Sequence, residues 1–159
     1  MNLLALCCLI FLMHRAASTT SGNKAAVNIP FKSCGGKVLE VRAFGCNDNK
    51  LPCVMHRGTT GRVEVDFIAP FDSRSLYADV RGRVGSGLVP VYLPLQGFHK
   101  EACIGHGITC PVTQGSKLTY SYEMLVDQGS PALQTDAIWR MTDFWGFNVA
   151  CFRVDLLID

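Results

Sequence analysis

An all-β fold, an antiparallel β-sandwich of seven to eight short strands, is what this sequence predicts, and three observations predict it. Apolar residues past the N-terminal leader recur with period two, and no segment of helical length carries a 3.6-residue stripe. Gly, Pro, Asn and Asp punctuate the alternating segments, at 47–49, 58–61, 70–73, 85–87, 97 and 129–131. Six cysteines, Cys34, Cys46, Cys53, Cys103, Cys110 and Cys151, follow the leader, the usage of a disulfide-stapled protein in an oxidising compartment.

The strands are read in chain order. Lys37 to Ala43 is a weak candidate. Val63, Val65 and Phe67 then alternate cleanly with Arg62, Glu64 and Asp66, giving one buried and one wet face. Leu76 to Val84 and Leu88 to Leu93 are weaker. Leu118, Tyr120, Tyr122 and Met124 alternate with Thr119, Ser121 and Glu123. Thr135 to Met141 is again weak, and Ala150, Phe152, Val154, Leu156 and Ile158 close the chain with Cys151, Arg153 and Asp155 on the other face.

The leader sets the compartment. Leu3 to Met13 is almost wholly apolar and the small residues Ala16, Ala17 and Ser18 follow, so residues 1–18 read as a secretory signal peptide, cleaved between about 16 and 22. The run is shorter than the ~20 apolar residues a membrane-spanning helix needs. Residues 19–159 are then expected to form one secreted, monomeric domain, and Cys7 and Cys8 leave with the leader. Arg15 leaves too, bringing the formal charge from +2 to +1, which offers nucleic acid no electrostatic footing. The chain contains no Asn-x-Ser/Thr sequon, which favours an extracellular destination over glycan-sorted delivery to a lysosome.

Six cysteines allow 15 connectivities. The segments from Cys46 to Cys53 and from Cys103 to Cys110 each enclose six residues rich in turn formers, which suits local bridges and leaves Cys34 and Cys151 to join the ends of the domain.

Phe31-Lys32-x-Cys34-Gly35, Cys46-x6-Cys53 with Pro52, Arg57-Gly58, Cys103-x6-Cys110-Pro111, Tyr120-Ser121-Tyr122, Trp139 and Ala150-Cys151-Phe152 together resemble the ML, or MD-2-related lipid-recognition, family. Within it the chain is most similar to the Niemann-Pick type C2 branch with the mite group 2 allergens and many arthropod paralogues. The resemblance runs from about residue 29 to the C-terminus. It implies an immunoglobulin-like sandwich with an apolar cavity between its sheets, and bridges joining Cys34 with Cys151, Cys46 with Cys53, and Cys103 with Cys110.

The resemblance also implies the lining of that cavity. Val63, Val65 and Phe67 would come from one strand, and Ile108, Tyr120 and Tyr122 from others. Trp139, Phe152 and Leu156 would complete the wall. The mouth falls on Tyr92 or Leu93, on Val126 and on Ser130. Ser130 stands where sterol carriers of this type place an aromatic, so the expected mouth is wider and would admit a fatty acid as readily as a sterol. The hydroxyls of Tyr92, Ser130, Tyr120 or Tyr122 could orient the ligand.

The function expected is a soluble carrier of one small apolar lipid, a sterol or fatty acid, delivered to a membrane or receptor acceptor. The alternative is an innate-immune module that binds bacterial lipid such as lipopolysaccharide and engages a receptor. No cofactor or metal is expected. His99, Cys103, His106 and Cys110 lie within twelve residues, but an oxidising compartment favours a disulfide over zinc. No catalytic motif is present, so no enzyme is expected: Gly85-Ser86-Gly87 lacks the spacing of a nucleophile elbow, and paired cysteines leave no thiol nucleophile. His56 and His106 are expected as solvated loop residues, and Glu64, Asp66, Glu123 and Asp155 as solvated outer-face carboxylates.

Overall fold

The computed structural model describes residues 26–46, 50–85, 89–95, 98 and 100–159. The predicted leader with Cys7 and Cys8 lies outside them, as do residues 47–49, 86–88, 96–97 and 99. Nine strands follow one another: β1 (Val27–Asn28), β2 (Lys32–Phe44), β3 (Cys53–Met55), β4 (Thr60–Ile68), β5 (Leu76–Val84), β6 (Val91–Pro94), β7 (Lys117–Leu125), β8 (Leu133–Asp143) and β9 (Asn148–Ile158). The hydrogen-bonded path β6-β5-β8-β9-β2-β4-β7 curls into two facing layers. β1 adds to β2, and β3 lies parallel to β9 in an otherwise antiparallel arrangement.

All seven segments read from the sequence are strands, with Leu88 to Leu93 realised as β6 from Val91 and Leu88 itself outside the described residues. β1 and β3 are additional, and at two and three residues they are too short for an alternation to register.

β2 belongs to both layers. Lys32 to Gly36 pairs with β9, ending at Gly36 opposite Ala150, and Lys37 to Phe44 pairs with β4. The strand turns its corner at Gly36, where φ is 70° and a Cβ would sit 2.2 Å from the Val149 carbonyl oxygen. Only glycine fits that approach. The Cys34–Cys151 disulfide lies beside the corner and spans a sequence separation of 117.

The opposite flank is closed by the chain between β6 and β7. Lys100 and Ala102 hydrogen-bond the outer edge of β5 through Ala78 and Leu76, and Ser73 pairs with Val112. Between them the His106 carbonyl accepts from Ser121 N–H on the edge of β7 at 2.8 Å. This segment therefore bridges the two layers, and Cys103–Cys110 tightens it. Cys46–Cys53 ties the end of β2 to β3, and hence one layer to the other. These are the three pairings that the resemblance implies.

The outer face of β4 departs from expectation at Asp66, which is buried at 5% exposure rather than solvated. Its Oδ1 accepts from Arg42 Nη2 and Thr119 Oγ1, each at 2.9 Å, and its Oδ2 takes Lys117 Nζ at 3.0 Å. Arg42 also holds Glu40 and Glu64. The Arg42 guanidinium keeps the Asp66 carboxyl well below the usual carboxylate range, with Lys117 and Thr119 adding to the effect against the opposing push of burial. The long arms of Arg42 and Lys117, brought alongside by the strand register, cover the carboxylate.

Candidate functional site

Alternation aims the apolar side of each layer at the other. In the β1-β2-β4-β7 layer, Val63, Val65 and Phe67 of β4 pair with Tyr122, Tyr120 and Leu118 of β7. In the facing layer, Trp139 of β8 lies between Val80 of β5 and Phe152 of β9. The Trp139 and Phe152 rings stack nearly parallel, 5.7 Å between centroids, and Phe31 meets Phe152 edge-on at 6.3 Å. Leu156 continues the β9 wall, Ile108 enters from the bridging segment, and Val126 caps β7. Apart from Phe31 and Leu118, which are partly buried, all these residues are buried.

Tyr92, Leu93 and Ser130 are the predicted site residues that stand outside this wall. Leu93 pairs with Gly82 and shares its inward face, whereas Tyr92 pairs with Arg83 and faces out. The Tyr92 hydroxyl donates to Asp136 Oδ2 at 3.2 Å and accepts from Arg153 Nη2 at 3.0 Å, while Arg153 also grips Asp136 directly. Of the two readings of the mouth, only Leu93 has the parity to look into the interior.

Leu93 belongs to an apolar rim. Val84 and Val91, paired with each other on the same inward face, are 37% and 51% exposed, and Leu93 is 54% exposed. Beyond Gly82–Ala137, β5 and β8 no longer pair, and a cleft of about 540 Å³ opens between Arg83, Val84 and Gly85 on one side and Leu133 to Asp136 with Asp155 on the other. The Val126–Ser130 loop shares this end of the sandwich. Gly58 N–H donates to the Val126 carbonyl at 2.6 Å, Val126 N–H to Thr59 at 3.0 Å, and Arg57 Nη1 reaches the Ser130 carbonyl at 3.5 Å. Ser130 is half-buried.

Two polar atoms on the inner faces are orphaned. The Tyr120 hydroxyl and the Trp139 indole Nε1 are buried and, among the described residues, have no hydrogen-bond partner. An unmet buried donor costs about 1 to 3 kcal/mol. Burial pushes the Tyr120 phenol well above its usual range, with nearby Tyr122 adding to the shift, so the phenol is neutral at physiological pH.

The sequence reading passed over two side chains at this wall. Phe98 packs on Tyr122 with ring centroids 4.2 Å apart, an isolated aromatic whose only signal was its place before the fourth framework cysteine. His106 was expected to be solvated, and the structure corrects this: it is half-buried, with Nδ1 3.0 Å from the Ser121 carbonyl and its ring 5.4 and 5.3 Å from Tyr120 and Tyr122. Positive φ at Gly107, where a Cβ would stand 2.9 Å from the Thr119 carbonyl, lays the segment flat on β7. His56 does stay exposed, yet its Nδ1 lies 2.5 Å from Asp159 Oδ1.

The candidate site is thus a two-layer sandwich with aromatic and aliphatic inner walls, closed on both flanks and rimmed by half-exposed apolar side chains at one end. The ML domain model matches residues 28–158, and the chain belongs to the ML-domain family. It is similar to the NPC intracellular cholesterol transporter 2 homolog a of Drosophila melanogaster, 24% identical over 129 residues, covering 79% of this chain and 84% of that one. It is also similar to the NPC intracellular cholesterol transporter 2 of Bos taurus, 28% identical over 142 residues, covering 87% and 91%. The fold matches the crystal structure of a Niemann-Pick type C2 protein from Japanese carpenter ant with a TM-score of 0.72, at 23% identity, covering 82% of this chain and 99% of that one.

Proposed function

We propose that this protein is a secreted carrier that holds one apolar lipid, of the sterol or fatty-acid class, between its two layers. The observation that carries the reading is the inner wall built by Val63, Val65, Phe67, Tyr120, Trp139, Phe152 and Leu156, in a chain of the ML-domain family. Relatives named as cholesterol transporters support the class of cargo. Transport asks little chemistry of the protein. Moving a sixteen-carbon chain from water into an apolar interior is worth about 12 kcal/mol gross at ~0.8 kcal/mol per methylene, before ordering costs. Entry is assigned to the end where Val84, Val91 and Leu93 stand half-exposed and the Val126–Ser130 loop closes over. The acceptor is a membrane or a receptor facing that rim.

The test is extraction of protein secreted by a eukaryotic host into organic solvent, with mass spectrometry of what comes out, followed by loading of the stripped protein. One sterol or fatty acid per chain, and reloading by cholesterol or oleate, is the expected result. An empty extract together with failure to load either lipid would overturn the reading, and tight binding of lipopolysaccharide alone would replace it with the bacterial-lipid alternative.

A further inference from the structure

The turn between β8 and β9 has no part in the carrier reading. It runs Phe144-Trp145-Gly146-Phe147, and its three aromatic side chains are 67%, 78% and 64% exposed. Gly, Pro, Asn, Asp and Ser are the usual turn formers, so three rings in water at one tip call for an explanation. β8 and β9 pair from Leu133–Ile158 at the open end to Thr142–Asn148, which sets this turn at the closed end, away from the apolar rim. Phe144 meets Trp145 edge-on at 5.2 Å, and Phe147 leans on Phe71 of the β4–β5 connection at 6.4 Å. The tip projects into open space: a Cβ added at Gly146, where φ is 85°, would meet nothing within 4 Å.

The backbone of the tip is closed on itself. Asp143 N–H donates to the Phe147 carbonyl at 3.0 Å, Gly146 N–H to the Asp143 carbonyl at 3.1 Å, and Phe147 N–H to Asp143 Oδ1 at 2.8 Å. These groups need no water, so the tip can enter an apolar medium without orphaning them. Cations flank it. Arg74 precedes Leu76, the partner of Asp143, Lys37 follows the Gly36 corner, and Arg140 lies three residues before Asp143 on β8. All three are exposed and make no ion pair among the described residues. Nearby Asp72 and Asp143 instead accept backbone N–H groups, from Gln114 and Phe147. At roughly 150 to 250 Å² per aromatic side chain the tip exposes about 300 to 500 Å², short of the ~800 Å² per partner of a standard protein interface.

We propose that the turn at 144–147 is a membrane-docking tip: its rings enter the interfacial zone of a phospholipid bilayer while Lys37, Arg74 and Arg140 meet lipid phosphates. Docking there leaves the rim at the opposite end uncovered, and it does not depend on which cargo the interior holds.

Co-sedimentation of the secreted chain with vesicles of phosphatidylcholine and phosphatidylserine, 4:1, tests this, with Trp145 emission as a second reading. The expected result is binding with a blue shift of Trp145 emission, absent in Trp145→Phe, and a loss of about tenfold or more in binding by Phe144→Ser with Trp145→Ser. Those two rings are exposed, so their removal leaves the core intact. Leu93→Asp at the rim is expected to bind vesicles as the parent does. Failure of the folded parent to bind vesicles, binding undiminished in the double variant, or binding lost in Leu93→Asp instead would overturn the proposal. So would a dimer that the double substitution abolishes in a chain that ignores vesicles, which would assign the tip to a second copy. None of these outcomes bears on whether the interior holds a lipid, which extraction and reloading decide.

Discussion

The two ends of the sandwich are built to opposite specifications. At the closed end, β2 crosses from one layer to the other, Gly36 presses its backbone against Val149, and Cys34–Cys151 locks the corner. At the open end, β5 and β8 part beyond Gly82, and Val84, Val91 and Leu93 leave much of their apolar surface in water. Exposed aliphatics on an inward face are a cost that folding alone does not explain. The closed end supplies rigidity, and the open end is the proposed entrance. Substitutions at the first should therefore cost stability, and at the second ligand.

The largest loss is expected from removing the lock. Cys34→Ser with Cys151→Ser frees a loop of sequence separation 117, and the chain-entropy model puts the destabilisation near 5 kcal/mol, measurable by urea unfolding. Gly36→Ala follows, because the added Cβ meets backbone at a positive φ, and about 3 kcal/mol or more is expected in the same assay. A Gly36→Ala protein as stable as its parent would remove the corner from the account.

Asp66 sharpens the comparison from the side of charge. Its folded carboxyl titrates below its unfolded value, so its contribution is present above about pH 4 and is lost as pH falls through the lower folded value. Asp66→Asn is expected to cost roughly 2 kcal/mol at neutral pH and to flatten the fall in stability between about pH 4 and pH 2. An unchanged acid limb in the variant would place the acid sensitivity elsewhere.

At the open end ligand uptake, more than stability, is expected to suffer. Leu93→Asp, at a residue 54% exposed, should change unfolding by no more than about 0.5 kcal/mol while slowing lipid uptake. Val126→Trp, on the loop latched by Gly58, should cost about 1 to 3 kcal/mol by overpacking and reduce lipid loading about tenfold. Unimpaired loading in a folded Val126→Trp protein would move the entrance away from this rim.

Where the sequence was legible, period two was the reason. It put Val63, Val65 and Phe67 on one face of β4 and Tyr120 and Tyr122 on one face of β7, and both faces are buried. Alternation says which way a side chain points, not what will cover it, so Asp66 read as solvated until the register brought Arg42 and Lys117 across it. A Pro-rich stretch left Tyr92 and Leu93 interchangeable, and one residue of slip in a strand exchanges the faces. His106 and Phe98 lie on a segment without periodicity, and their packing on β7 depends on pairings distant in sequence. The crossing of β2 was hidden because Gly35-Gly36 reads as a break rather than as a corner within one strand.

The central claim is that a lipid lies between the layers, against Trp139. The chain has two tryptophans, and Trp145 stands 78% exposed in the β8–β9 turn, so Trp145→Phe leaves Trp139 as the sole reporter. Titration of that variant with 9,10-dibromostearate, whose bromines quench tryptophan on close approach, is predicted to extinguish most of the Trp139 emission and to saturate at one lipid per chain. Stoichiometric binding of the brominated lipid with Trp139 emission unchanged would place the lipid outside the sandwich and contradict the account.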